Sequence, residues 1–141
     1  MRVVSALIAG VVLVALTGGA GAVKASAAGV QASAATVKIT KKEWGLTLSR
    51  QRVPAGKVTF VVRNIGKLDH EFVVIRTNRL AKALPVEQGR AVETGRKGRI
   101  AKFGPGQTRR LILTLRPGKY VLICNLPAHY KAGQLASFRV V

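Results

Sequence analysis

The feature that most constrains the fold is a series of short apolar runs, separated by turns, that begins at Thr36. Within several of these runs β-branched and apolar residues alternate with polar ones, which is typical of strands that bury one face. Proline and glycine stand between the runs, as in Pro117-Gly118, and favour tight turns. About seven short strands at this spacing predict one all-β domain built as an antiparallel sandwich. The predicted strands cover residues 36–42, 46–50, 57–63, 70–76, 107–115, 119–125 and 134–141.

One segment, residues 77–106, does not follow this pattern. Residues 78–84 are compatible with one or two helical turns, which Pro85 would end. A basic stretch with several glycines follows and ends at Gly104-Pro105-Gly106. We therefore predict a short helical or irregular insertion around 77–106.

The N-terminal residues predict an exported protein. Arg2 supplies a positive charge, residues 3–16 are almost entirely apolar, and small residues in A-x-A patterns follow up to Ala27. This order is typical of a secretory signal peptide. The apolar run is shorter than the roughly 20 residues that cross a bilayer, and an uncleaved anchor is the alternative. We predict a signal peptide at 1–27, a flexible leader at 28–35 and a domain at 36–141, located in the periplasm, outside the cell or at the cell envelope.

Cysteine usage separates this chain from small disulfide-stabilised domains. Cys124 is the only cysteine, so the chain has no internal disulfide. A domain of about 110 residues can form a sufficient core without one. An odd cysteine in an exported protein pairs with another chain or has a chemical role.

The charge predicts an anionic partner. The chain has 24 basic and 5 acidic residues, a net charge of +19. Such a surface attracts acidic proteins, anionic lipid or cell-wall polymer, and a purely solvating role is the alternative. Nucleic acid is not expected, because the protein is exported and the basic residues lack interleaved aromatic stacking platforms. Residues 76–110 hold ten basic residues against Glu87 and Glu93, so we expect docking on or near this segment.

A candidate metal site combines Cys124 and His129, five residues apart, with His70 at the start of another predicted strand. A sandwich can bring two strand ends together at one pole. One thiolate and two imidazoles form a trigonal set that suits copper in an electron-transfer site. Zinc also accepts these ligands, although structural zinc sites usually have four strong ligands. Taken singly, a cysteine or a histidine is more often a packed residue than a ligand; the combination favours the metal.

Residues 118–134, with their C-x₄-H spacing and Gly-Lys-Tyr lead-in, resemble the copper loop of the blue copper proteins, the cupredoxins, and especially of the plastocyanin-like branch. Residues 53–60, Asn64, Gly66 and 69–72 resemble the first-ligand region of that family. The resemblance covers residues 36–141. It implies a Greek-key β-sandwich of seven or eight strands with one copper ion, cycling between Cu(I) and Cu(II), at one pole. It also implies that His70, Cys124 and His129 are the ligands.

The chain departs from the family pattern at the axial position. The family usually has a methionine just after the glycine of this loop, whereas this chain has Gln134, and its only methionine is Met1. Glutamine serves as the axial ligand in the stellacyanin-like branch, so the resemblance implies that Gln134 is the fourth ligand. The alternative is that Gln134 faces away and the metal is three-coordinate. Around the site, we expect Leu126, Pro127, Ala128 and Tyr130 to surround His129 with apolar surface, and Glu71 to tie neighbouring loops.

These observations favour a monomeric one-electron carrier that exchanges electrons with acidic redox partner proteins. The chain is not expected to be an enzyme, because it offers one mononuclear site and no H-x-H pairs. The first alternative is an extracytoplasmic protein that stores, delivers or senses copper. The second is a basic cell-surface interaction module with a vestigial site.

Overall fold

The computed structural model describes residues 34–141, which form eleven strands and one 3-10 turn. The predicted signal peptide and most of the predicted leader lie outside the described residues. Within 34–141 no helix is long and apolar enough to cross a bilayer. The elements are β1 Ala35–Lys42, β2 Gly45–Leu48, β3 Arg52–Val53, β4 Gly56–Asn64, β5 His70–Arg76, the 3-10 turn Ala81–Ala83, β6 Val86–Glu87, β7 Arg90–Ala91, β8 Arg96–Phe103, β9 Thr108–Leu115, β10 Gly118–Ile123 and β11 Leu135–Val140.

Two sheets pack face to face, which confirms the all-β sandwich. The first sheet has the order β2-β1-β4-β9, and the second has the order β3-β11-β10-β5-β8. Most neighbours are antiparallel, but β1 runs parallel to β4 and β3 runs parallel to β11. Alternate residues of each sheet point inward and form the main core. Its largest members include Ile39, Phe60, Phe72, Tyr120, Leu122 and Phe138.

The central strands of the second sheet are buried on both faces. In β5 and β10 the residues that point away from the main core are Val73, Ile75, Val121 and Ile123, and all four are buried. They form a second apolar cluster with Ala81, Leu84, Ala91 and Tyr130. Burial on both sides explains why these two strands are almost continuously apolar rather than alternating. Residues 81–91 therefore act as a cover over the outer face of the sheet.

The prediction for 77–106 was wrong for its C-terminal part. Residues 77–92 are irregular, with the 3-10 turn and the small β6–β7 hairpin, but β8 is a regular strand at the edge of the second sheet. Only Ile100 and Phe103 of β8 are buried, and most of its other side chains are exposed and basic. An edge strand of this kind shows no clear apolar alternation in the sequence. With β8 and the two-residue β3, the two sheets hold nine strands instead of seven or eight.

The strand directions define two poles of the sandwich. Four strands, β1, β4, β8 and β10, end at the same end of the sandwich, and β5 and β11 begin there. The pairings that show this are Lys41 with Asn64, His70 with Phe103, and Ile123 with Leu135. We call this end the site pole. At the other end, the far pole, Ala35 pairs with Val58 and Gly118 pairs with Val140. The chain therefore enters the domain at the far pole.

Candidate metal centre

The loop between β10 and β11 folds back on itself and places His129 beside Cys124. The Cys124 N–H donates to the Gln134 carbonyl at 2.9 Å, and the Gln134 N–H donates to the His129 carbonyl at 3.1 Å. The His129 N–H in turn donates to the Leu126 carbonyl at 3.0 Å. These backbone bonds close the loop into a compact turn at the site pole. A five-residue separation in sequence thereby becomes a direct side-chain contact.

Three donor atoms converge in this turn. Cys124 Sγ lies 3.8 Å from His70 Nδ1 and 3.4 Å from His129 Nδ1, and all three atoms lie within 4.8 Å of one another. His70 and Cys124 are fully buried, whereas His129 is partly exposed. Bonds to a common ion are about 2.0–2.3 Å for nitrogen and sulfur donors. Both measured separations are shorter than the sum of two such bonds, as a shared ion requires.

The Cys124 sulfur also accepts a hydrogen bond from the backbone. The Glu71 N–H lies 3.3 Å from Sγ. Because Glu71 follows His70 directly, this bond fixes the sulfur relative to the start of β5. A donor aimed at a thiolate stabilises its negative charge.

Lys41 is a buried cation beside the same sulfur. Its side chain is fully buried, and its Nζ donates to the Glu71 carbonyl and lies 5.8 Å from the centre of the Phe72 ring. Burial lowers the pKa of Lys41 from 10.5 to about 8, while the charges of Cys124 and Glu71 oppose this shift. Lys41 thus remains largely protonated at neutral pH. It occupies the last inward position of β1, where alternation would otherwise place an apolar residue.

The two imidazoles are held in the neutral form that metal binding needs. Burial lowers the pKa of His70, and the charges of Lys41 and His129 lower it further against an opposing effect of Glu43. Burial also lowers the pKa of His129, and Lys41 adds to this effect. Neutral imidazoles with free Nδ1 lone pairs can serve as ligands near neutral pH.

Glu43 is a site residue that the sequence did not reveal. Its Oε1 accepts hydrogen bonds from the backbone N–H groups of Lys67 and Leu68 at 2.8 and 2.7 Å, and lies 3.4 Å from His70 Nε2. A carboxylate behind the second nitrogen of a ligating histidine favours the tautomer whose Nδ1 is free. Gly66 makes this approach possible, because a Cβ at that position would overlap the Glu43 carboxylate. Little in the sequence indicated this role, because Glu43 lies outside every motif identified in the chain.

Gln134 is fully buried, and the direction of its amide is set by a hydrogen bond. Its Nε2 donates to the Lys42 carbonyl, which leaves Oε1 buried without a hydrogen-bond partner. A buried amide oxygen without a partner is costly in a folded protein. An ion held by the neighbouring donors would satisfy it. This observation fits an axial ligand, although the donor cluster itself comprises His70, Cys124 and His129.

The surroundings of His129 differ from the prediction in one respect. Tyr130 is buried and turned away, with its hydroxyl donating to the Ala81 carbonyl at 2.7 Å and accepting from the Leu84 N–H at 2.9 Å. Trp44 lies beside His129 instead. The two rings are edge-on to each other with 5.4 Å between their centres, and Trp44 is 51% exposed. Pro127 and Ala128 are exposed and Leu126 is half-buried, as an apolar rim requires.

Two polar side chains tie the site to the segment that covers the sheet. Asn125, next to Cys124, exchanges hydrogen bonds with both backbone groups of Ala91 and donates to Glu93 Oε1 at 2.8 Å. Glu71 pairs with Arg99 at 2.6 Å and faces Arg90 at 3.8 Å. Glu71 was expected to tie neighbouring loops, but its closest ion pair is with Arg99 of strand β8. The site is therefore braced from outside the copper-loop motif.

Comparisons with known proteins agree with this geometry. No family model matches the chain. A copper-resistant cuproprotein, CopI, of Vibrio cholerae is 30% identical over 88 residues, which cover 62% of this chain and 52% of that protein. The chain thus spans about half the length of the curated relative it matches.

Solved structures of similar shape are blue copper proteins and their relatives. Auracyanin from Roseiflexus castenholzii is 23% identical with a TM-score of 0.57, over 75% of this chain and 96% of that chain. Auracyanin A, a "blue" copper protein from Chloroflexus aurantiacus, is 18% identical with a TM-score of 0.57, over 77% of this chain and all of that one. Rusticyanin from Thiobacillus ferrooxidans is 15% identical with a TM-score of 0.59, over 77% and 79%. The chain therefore has the cupredoxin fold, and its His-Cys-His cluster fits a single copper ion.

Proposed function

We propose that this chain is an exported type 1 copper protein that carries single electrons. The observation that carries the proposal is the convergence of His70 Nδ1, Cys124 Sγ and His129 Nδ1 at the pole of a cupredoxin fold. Bound copper would supply the one-electron chemistry by cycling between Cu(I) and Cu(II). A thiolate and two imidazoles are acceptable to both oxidation states.

The chain's own residues supply a preformed and largely dry site. His70, Cys124 and Gln134 are fully buried, so water has no access from their side. The Glu71 N–H holds the sulfur in place, and the Glu43 carboxylate lies 3.4 Å from His70 Nε2. A site whose ligands are fixed by the fold needs little rearrangement when its charge changes. In this proposal the Gln134 Oε1 completes the ligand set as a weak axial donor.

His129 is the part of the site that a partner can approach. It is the partly exposed ligand, and Trp44, Pro127 and Ala128 form an apolar rim around it. Exposed lysines at the same pole, Lys42, Lys67 and Lys131, add positive charge. We infer that an acidic redox protein docks here while the chain remains a monomer. The signal-like N terminus supports a location outside the cytoplasmic membrane.

Addition of Cu(II) to the purified protein tests the proposal. One equivalent should produce an intense visible band from charge transfer between the Cys124 thiolate and the metal, and Cys124→Ala should abolish the band. Cys124→Ala removes only the sulfur and leaves both histidines in place. Wild-type protein that binds no copper, or that binds copper without the band, would contradict the assignment. Zn(II) serves as a control, because it occupies the same donors without colour.

A second candidate function, copper handling, is supported by the similarity to a copper-resistant cuproprotein. The two functions differ in what leaves the site. A carrier releases electrons quickly and retains the metal, whereas a delivery protein transfers the metal to an acceptor. Transfer of Cu(I) from the loaded protein to a chelator of known affinity separates them: release within seconds favours handling, and retention over hours favours electron transfer.

A further inference from the structure

The far pole carries a concentrated positive charge that the metal site does not explain. Eight exposed basic residues lie there, at the ends of the strands and in the adjoining turns, and none forms an ion pair within the described part of the chain. They are Arg52, Lys57, Arg76, Arg79, Lys97, Arg116, Lys119 and Arg139. Like charges at this density repel each other, so an anionic partner would relieve a real cost.

Four of the five Asp and Glu side chains lie away from this pole. Glu43, Asp69 and Glu71 are at the site pole, next to or near His70. Glu87 belongs to the hairpin whose Gly89 carbonyl accepts from the Ala128 N–H. Glu93 accepts from Asn125 and pairs with Arg96, the residue before Lys97, at 2.6 Å. The eight cations of the far pole therefore have no ion-pair partner among the Asp and Glu side chains of residues 34–141.

The far pole also has an apolar element among the cations. A groove of about 290 Å³ is lined by Arg79, Lys119 and Arg139 together with Tyr120 and Phe138. Leu80 stands at its edge and is 68% exposed. A cationic rim around an exposed apolar side chain matches the lipid interface, where phosphates lie above acyl chains.

Two observations favour a membrane over an acidic redox protein at this pole. First, the strands that separate the poles are up to nine residues long, or about 30 Å, so a protein bound there would be far from His129. Second, Leu80 is exposed among the cations of the groove, which suits the boundary between phosphates and acyl chains better than the surface of an acidic protein.

We propose that the far pole docks on an anionic phospholipid membrane and leaves the site pole facing away from it. This orientation presents His129 to soluble partners. The proposed membrane docking does not depend on copper binding, so its test is independent of the proposed function.

Vesicle binding of the full chain tests this proposal. The apolar run contributes equally to vesicles of phosphatidylcholine alone and vesicles that also contain phosphatidylglycerol, so the ratio of the two affinities isolates the charge effect. For the wild type we expect about tenfold or greater preference for anionic vesicles at low salt. Replacing Arg79, Lys119 and Arg139 by Glu should remove the preference, whereas the same charge change at Arg63, Arg109 and Arg110, nearer the site pole, should retain most of it.

Circular dichroism of both triple variants confirms that each is folded. Absence of a preference in the wild type, or equal losses in the two variants, would overturn the proposal. Binding to polyglutamate through the far pole without binding to vesicles would assign the surface to an acidic protein instead.

An independent observation, the buried Lys41, concerns the copper site and rests on the proposed function. Lys41 Nζ donates to the Glu71 carbonyl, and the N–H of the same residue donates to Cys124 Sγ. The Lys41 ammonium group and the Cys124 sulfur are therefore connected through the backbone of one residue, Glu71. The Glu71 carboxylate is engaged by Arg99 instead, so the hydrogen bond that Lys41 makes goes to a neutral carbonyl. A buried cation with a neutral partner is expensive, and its field is poorly screened.

We infer that the ammonium group of Lys41 favours the reduced form of the site. With one thiolate and two neutral imidazoles, the site carries a net charge of +1 with Cu(II) and zero with Cu(I). A fixed positive charge destabilises the more positive form. Lys41 would thus offset part of the preference for Cu(II) that an amide oxygen at Gln134 introduces.

Voltammetry of Lys41→Met and Lys41→Gln tests this inference. Both variants remove the charge, and the glutamine also retains a donor for the Glu71 carbonyl. We expect the equilibrium to shift toward Cu(II) by about tenfold, a fall of 59 mV for a one-electron couple. Lys38→Met, which removes an exposed charge on the same strand, should change the equilibrium much less.

A second readout does not depend on voltammetry. Competition with chelators specific for each oxidation state should show that Cu(I) affinity falls relative to Cu(II) affinity in both Lys41 variants. Coloured variants with unchanged potentials would overturn the role of Lys41 and leave the copper site intact. A colourless wild type would overturn the copper site itself.

Discussion

Gln134 is fully buried beside the donor cluster, and its amide oxygen has no hydrogen-bond partner within residues 34–141. The Lys42 carbonyl fixes its Nε2, so its Oε1 is committed to the opposite side in a fully buried position. An amide oxygen is a harder donor than a thioether and favours Cu(II). This single residue is therefore expected to set the potential lower than a methionine would.

Replacing Gln134 with Met should raise the reduction potential by about 100 mV, as axial-ligand tuning predicts. That shift corresponds to roughly 2 kcal/mol of preference between the oxidation states, since 59 mV is a tenfold change for one electron. The visible band should persist, because Cys124, His70 and His129 are unchanged. Voltammetry of both proteins under identical conditions measures the shift. An unchanged or lower potential would mean that Gln134 does not contact the metal.

The residues that sequence could identify were those whose type is rare in this chain. Cys124 is unique and the chain has only two histidines, so the cluster of His70, Cys124 and His129 could be predicted without a structure. Lys41 and Glu43 could not be found in this way, because lysine is abundant and Glu43 lies in a turn. Lys41 did leave a signal: it follows Val37 and Ile39 at a spacing of two and therefore points inward.

At the scale of elements, prediction succeeded where both the pattern and the turn residues were clear. β5 was predicted with its observed bounds, and β1, β4, β9 and β10 to within two residues at either end. Prediction missed β8, whose exposed basic face obscures its two buried residues, and the two-residue strands β3, β6 and β7. Parallel pairing of β1 with β4 was also not foreseeable, since pairing between distant segments is decided by packing of the whole sandwich.

The segment 81–91 shows how an element can be structural and functional together. Its apolar side chains cover the outer face of β5 and β10, and Asn125 joins its backbone to the residue next to Cys124. An irregular sequence therefore contributes to the position of the sulfur ligand. The composition of residues 81–91 gave no reason to connect this segment with the sulfur ligand.

At the scale of the whole molecule, the ten basic residues of 76–110 do not form one surface. Arg76, Arg79 and Lys97 lie at the far pole, whereas Arg90 and Arg99 face Glu71. The docking expected on this segment thus divides between two poles. The charge near His129 is supplied mainly by other parts of the chain.

The positive site pole should make electron transfer depend on salt. Oxidation of the reduced protein by the anion hexacyanoferrate(III) should slow as ionic strength rises, because exposed charges are screened over about 8–10 Å. A cationic cobalt oxidant should show the opposite trend. Stopped-flow measurements with both oxidants provide the comparison. If the rates with both oxidants are independent of ionic strength, the lysines around His129 contribute only to solvation.

Burial of β10 on both faces has a consequence for the motions of the protein. β10 pairs with β5 and β11, and its outward side chains lie beneath the covering segment. Opening its amides to solvent would require the sheet and its cover to separate together, so hydrogen exchange there should approach the rate of global unfolding. The sulfur ligand thus directly follows a strand that is expected to open slowly, while His129 is carried by a turn at the surface. Fluctuations that loosen one ligand need not disturb the other.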